Sequence, residues 1–212
     1  MDRVEGGPRA YFGLKTSIYG AESGHASVFL GQGFRLEDDG TFLKSSGLDD
    51  HFSDFVGRTE ISIPKYLDLL YRFRVDNQEF DFKRNELTLT GGVPEFRVSA
   101  NYLFVDQEEQ SESESFNSRE EITLSMASRI TERWSIGANT RRNLAKDGGS
   151  INHGFRLTYQ DSCFLITGSF TRTFTEDRDI KPTDTLLVQV TLRTLGSFAG
   201  GRVLSQPSDD SP

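Results

Sequence analysis

The sequence contains one cysteine, Cys163, and three scattered histidines, His25, His51 and His153. A single thiol excludes an internal disulfide framework and a Cys-rich zinc site, and the histidines lack metal-ligand spacing. Proline is scarce, at six residues, and there is a single tryptophan. No apolar run approaches the roughly 18 residues a membrane helix needs. The opening Met1-Asp2-Arg3-Val4-Glu5 has none of the basic and apolar character of an export signal. That predicts either a cytosolic chain or a piece whose signal lies elsewhere. Lysine and arginine form no stripe and the net charge is -8, which argues against nucleic-acid binding. Gly31-Gln32-Gly33 lies inside a strand pattern and opens no helix that would cradle a phosphate, so no cofactor is expected.

What remains is rich in strand formers. Only 35% of the chain is hydrophobic, which with the net charge would suggest disorder, yet seventeen residues are Phe. Phe, Tyr, Ile and Val favour pleated, half-buried surfaces. Their spacing has period two, the signature of a strand with two unlike faces. Leu67, Leu69, Tyr71, Phe73 and Val75 share one face, against Asp68, Arg72, Arg74 and Asp76. Phe96, Val98, Ala100, Tyr102 and Phe104 alternate with Arg97, Ser99 and Asn101, and Leu186, Val188, Val190 and Leu192 with Gln189, Thr191 and Arg193. The pattern predicts eleven strands, at about 9–19, 25–35, 55–63, 67–77, 81–90, 95–105, 119–130, 134–143, 151–160, 163–174 and 184–195.

Most of these strands are about ten residues long, the length a tilted strand needs to cross a bilayer, whereas strands in soluble proteins average five or six. Tight turns at 20–24, 64–66, 91–95, 131–133 and 160–162 alternate with longer links at 36–54, 106–118, 144–150 and 175–183. Short turns on one side and long loops on the other mark an outer-membrane barrel, with the short side periplasmic. Two long links are acidic, at Glu37-Asp38-Asp39 and Asp106 to Glu112. Tyr19, Tyr66, Phe96, Trp134 and Phe164 border the short turns, while Phe34, Phe55, Phe104 and Phe174 border the loops, as two interfacial girdles would. A soluble β-sandwich would alternate too, but would not need such long strands or this asymmetry.

The expected fold is therefore all-β, a partial antiparallel transmembrane β-barrel of about eleven strands. Residues 1–195 would form the C-terminal portion of a larger barrel, and 196–212 a disordered periplasmic tail. An odd count leaves the N-terminus on the loop side and an open strand edge in lipid, so further strands are expected upstream. The charged face is expected to line a wet lumen with Lys15, Arg58, Arg72, Arg74, Arg97, Arg129, Arg141, Arg156 and Arg193. These either steer an anionic cargo or pair with Glu60, Asp68 and Glu86. No catalytic set stands out. His153 near Ser150 invites comparison with barrel phospholipases but reads better as a rim residue. A lone cysteine such as Cys163 is ordinarily a small buried hydrophobe.

Several motifs carry a family resemblance. Asp2-Arg3-Val4-Glu5-Gly6-Gly7-Pro8-Arg9-Ala10 with Gly13-Leu14 resembles the mid-barrel signature of the LptD family of lipopolysaccharide-assembly proteins. The likeness continues through Gly31-Gln32, Ser46-Gly47-Leu48, Ser53 to Arg58, Tyr71 to Arg74, Arg133-Trp134 and Tyr159-Gln160-Asp161-Ser162-Cys163. It ends at Asp177-Arg178-Asp179 and Leu192 to Gly196. The resemblance implies a transporter, not an enzyme, in the bacterial outer membrane. Such a protein receives lipopolysaccharide from a periplasmic bridge protein through an N-terminal domain and passes it to the outer leaflet. It also implies a plug lipoprotein, insertion by the barrel-assembly machinery, and lateral lipid escape at a seam with 184–195 as one lip. In the family, cysteines at the Tyr-to-Cys motif form disulfides with the N-terminal domain. Here Phe164 stands where some members have a second cysteine, so Cys163 would make one such bond. The alternative reading is another outer-membrane barrel, a porin or diffusion channel.

Overall fold

The computed structural model describes residues 8–20, 22–36, 51–106, 119–145, 148–174, 182–193 and 196–205. The acidic stretches at 37–39 and 107–112, and the family-like residues 2–7, 46–48, 177–179 and 194–195, lie outside them. Every regular element among the described residues is a strand: β1 Arg9–Tyr19, β2 His25–Arg35, β3 Phe55–Ile63, β4 Leu67–Val75, β5 Phe82–Val93, β6 Phe96–Val105, β7 Arg119–Arg129, β8 Trp134–Asn143, β9 Ser150–Gln160, β10 Phe164–Thr173, β11 Thr183–Leu192 and β12 Gly196–Ser205. They form one antiparallel sheet in sequence order. The four spans 9–19, 25–35, 55–63 and 134–143 agree with the period-two pattern to the residue.

Two expectations fail at the C-terminal end. Residues 196–205 are not a disordered tail but a twelfth strand, paired with β11 from Leu192↔Gly196 to Thr183↔Ser205. Gly196, Gly200 and Gly201 hide its alternation, because glycine has no side chain to place on either face. Among the described residues the count is then even, so the argument for upstream strands from an odd count falls. The strand beyond β11 also takes over the edge position that 184–195 was expected to hold.

The chain divides into two compact units, residues 1–90 with 101–121, and residues 91–100 with 122–212. In the first unit β1 to β4 pair in unbroken register, from Tyr19↔His25 at the first turn to Ile63↔Leu67 at the second. In the second, β8 to β12 do the same, with one shift between Arg141 and Arg142. The hairpin between β5 and β6 is held by Gly92 at φ 134°, where any Cβ would run into the Phe96 carbonyl.

Neither unit has a conventional core. Among the described residues no hydrophobic side chain is buried, and large apolar groups lie open: Leu14 is 74% exposed, Ile18 73% and Phe198 67%. One face of each unit is apolar. At the short-turn ends rings pack there at a tilt, Trp134 against Tyr159 at 4.9 Å and Tyr159 against Phe164 at 5.7 Å. At the loop ends lie Phe55 with Phe80, Phe73 with Phe82, and His153 with Phe174. Polar groups on this face gather near the loop ends: Lys83 with Asp106, Tyr102 Oη donating to Glu120, and Arg172 with Asp184.

Candidate functional site: the charged face

Cross-strand register carries one row over four strands of the first unit. Lys15 faces Phe29, Phe29 faces Arg58, and Arg58 faces Arg72. Partners across a ladder share a face, so all four project to the side opposite Leu14, Val28 and Phe73. With Arg74, Arg84, Glu60 and Glu86 they line a groove of about 680 Å³. Its arginines are tied to acids. Arg58 Nη2 donates to Glu60 at 2.9 Å, Arg72 Nη1 to Glu86 at 3.3 Å, and Arg84 also binds Glu86. Arg74 lies 3.3 Å from Asp54, a buried carboxylate just before β3. Lys15 is exposed and has no hydrogen-bond or ion-pair partner among the described residues.

One of the three expected pairings needs adjustment. Glu60 and Glu86 do serve arginines, but Asp68 accepts instead from Ser62 Oγ at 2.7 Å. Asp54 and Arg84 were not anticipated. Arg84 was legible, since it lies two residues before Glu86 on the same face, whereas Asp54 precedes its strand and gives no periodic signal. Phe29 was also missed. With Tyr11 and Tyr19 it lies on the charged face, away from most of the aromatics, and register reveals its side.

The second unit is charged differently. Arg97, Arg129, Arg133 and Arg156 line one groove with Glu95, Glu132, Asn139 and Thr171. Arg156 sits opposite Gly137 on β8 and Ser169 on β10, so no acid faces it across either ladder. Arg129 and Arg156 are exposed, and no ion pair engages either among the described residues. Arg141 shares this face of β8, opposite Asn152, beside the register shift. Arg193 does not lie in a strand. β11 ends at Leu192, and the Arg193 N–H donates to the Cys163 carbonyl at 3.0 Å.

Cys163 is likewise outside its expected strand, in the turn before β10, where it is a free and exposed thiol. Exposure contradicts the buried-hydrophobe reading. Asp161 organises this turn. Its carboxyl accepts the Ser162 N–H at 2.6 Å, which holds it below the usual carboxylate range with help from the nearby Arg133 charge. His153 is no nucleophile's partner. Its Nδ1 lies 2.8 Å from Thr140 Oγ1 and its ring packs on Phe174, while Ser150 faces Arg142 across the ladder. His25 meets Glu60 at 3.6 Å.

Comparison with known proteins gives one informative result. Residues 1–134 match the model of the family described as "LptD: LPS transport system D". No curated protein matches. Among solved structures, a triple mutant of the Rhodopseudomonas blastica porin is 8% identical, with a TM-score of 0.47, 93% of this chain and 85% of the porin covered. A second mutant of that porin gives 8% and 0.46 over the same shares.

Proposed function

Because the chain belongs to the LptD family, we propose that it forms part of an outer-membrane wall along which lipopolysaccharide is delivered to the outer leaflet. One observation carries this reading. Most of the large apolar side chains are exposed on one face while most of the charged side chains occupy the other, and among the described residues no apolar core lies between. A sheet of this kind is stable only where the apolar face meets lipid and the charged face meets water. Burying apolar area stabilises by ~25 cal/mol per Å², so leaving such a face in water would forfeit most of the folding free energy.

On this reading the short turns are periplasmic and Lys15, Arg58, Arg72, Arg74, Arg97, Arg129, Arg141 and Arg156 border the path of the phosphorylated sugar. Arg193 sits at its periplasmic mouth. Partners follow from family membership: a plug lipoprotein, a periplasmic bridge protein acting through an N-terminal domain, and the barrel-assembly machinery. Cys163 pairs with a cysteine of that domain. The support is its exposure and its place at a short turn, on the side where disulfides persist. Non-reducing electrophoresis of the complete protein should show a mobility difference between wild type and Cys163→Ser. Identical migration, with Cys163 alkylated in the absence of reductant, would remove the bond from the account.

The transport reading is tested by reconstituting the complete protein with its partners in proteoliposomes and following lipopolysaccharide to the outer surface. Delivery is expected, and liposome swelling in small sugars is not. Swelling without delivery would establish a diffusion channel instead.

A further inference from the structure

Phe29, with Tyr11 and Tyr19, is an aromatic residue that register places on the charged face. It projects from the charged face, between Lys15 on one side and Arg58 on the other. Its ring does not stand up from the wall. A Cβ built on Gly13 would lie 2.8 Å from Phe29 Cε2, and one on Gly31 2.8 Å from Phe29 Cζ. The far edge of the ring therefore covers two glycines on adjacent strands, which is possible only because both lack a side chain. Gly13 and Gly31 are themselves cross-strand partners, so together they form a shallow seat. The ring lines the groove and remains 37% exposed.

An aromatic ring held flat on a wet wall, with a cation on each side, has a specific use. The C–H face of a pyranose packs on such a ring because the ring face is electron-rich and both surfaces shed water poorly bound to them. The neighbouring cations differ in availability. Arg58 is engaged by Glu60, whereas Lys15 has no partner among the described residues. An ammonium on a flexible stem suits a phosphate of variable position.

We propose that Phe29 is a stacking platform for a sugar ring of a phosphorylated saccharide, and that Lys15 holds the phosphate. This rests on the transport reading above and narrows its cargo contact to one place on the wall. The seat built from Gly13 and Gly31 fixes the ring before any ligand arrives, so little side-chain entropy is lost on binding.

The complete protein in detergent micelles is titrated calorimetrically with a glucosamine disaccharide bearing two phosphates, and with the same disaccharide dephosphorylated. Wild type should bind both, the bisphosphate more tightly. Phe29→Leu should weaken both by about tenfold, and Phe29→Tyr should retain binding. Lys15→Gln should weaken the bisphosphate alone, by about fivefold, with the difference fading at high salt. A heat-modifiable, folded Phe29→Leu that binds as wild type does would overturn the platform and leave the ring as filler over two glycines. Should Phe29→Leu fail to fold, Lys15→Gln and Phe29→Tyr decide: unchanged bisphosphate affinity in the first, or lost affinity in the second, overturns the proposal. Lipopolysaccharide delivery by the wild type is measured alongside. Delivery without saccharide binding overturns the platform only, whereas absence of delivery overturns the reading beneath it.

Discussion

The charged faces of the two units solve the same problem in opposite ways. In the first unit Arg58, Arg72, Arg74 and Arg84 are each held by an acid, Arg72 and Arg84 sharing Glu86. In the second, Glu95 and Glu132 line the same groove, but no ion pair engages Arg129 or Arg156 among the described residues. Arg72–Glu86 and Arg74–Asp54 tie neighbouring segments together, whereas Arg58–Glu60 and Arg84–Glu86 lie within one strand. Arginines in water without acids add little stability and leave positive potential in the groove. The comparison separates structural charge from charge available to a cargo, a distinction that counting basic residues would miss.

The largest expected effect lies in the first unit. Arg74→Ala takes the Arg74 cation away from the buried Asp54 carboxylate and should cost about 3 kcal/mol in denaturant unfolding. Arg58→Gln, by contrast, touches an exposed pair and should cost under about 1 kcal/mol. Equal losses from the two would erase the difference between a buried and an exposed pair.

In the second unit the effect should appear in transport and not in folding. Arg129→Glu with Arg156→Glu should reduce lipopolysaccharide delivery by about tenfold, equivalent to about 1.4 kcal/mol, with unfolding midpoints unchanged. Loss of stability without loss of delivery would make these residues structural after all.

Smaller effects are expected at the connections. Asp76 accepts the N–H groups of Gln78 and Glu79, both at 2.8 Å, and Asp76→Ala should cost about 1 kcal/mol. The Glu79 and Gln78 amides hold this carboxyl below its usual range, as Ser162 does for Asp161. A depressed carboxylate contributes stability that is fully present above its unfolded pKa and is lost as pH falls through its folded one. Both turns should therefore stay ordered through pH 4 and loosen only below the ordinary carboxylate range of about 3.9. Amide exchange at Gln78, Glu79 and Ser162 as pH is lowered is the measurement. Loosening already between pH 7 and 5 would contradict it.

Much of this was legible in the sequence, for an identifiable reason. A sheet with lipid on one side and water on the other enforces period two along the whole strand, so β1, β2, β3 and β8 could be bounded to the residue. β12 was not legible because three of its ten residues are glycine and carry no facial signal. The charged face was legible as a set but not as pairs. Which acid meets which arginine depends on register across strands, as Asp68 shows by bonding Ser62 instead. Arg193 and Cys163 were assigned to strands because alternation runs on into the turns, where the backbone no longer obeys it. Phe29, like Tyr11 and Tyr19, sits on the charged face, against the expectation that aromatics mark the apolar one.

The central claim is that one face of the sheet meets lipid and the other meets water. Ile166 and Thr167 on β10 are adjacent residues of similar size that point to opposite faces, opposite Val190 and Gln189 respectively. Each is replaced in turn, Ile166→Cys and Thr167→Cys, in a Cys163→Ser background of the complete protein, and labelled with a fluorophore in bilayers containing brominated acyl chains. The label at 166 should be quenched by the brominated chains and shielded from a charged aqueous quencher, and the label at 167 should show the reverse. Equal access of both positions to the aqueous quencher, or an inverted pattern, would contradict the account.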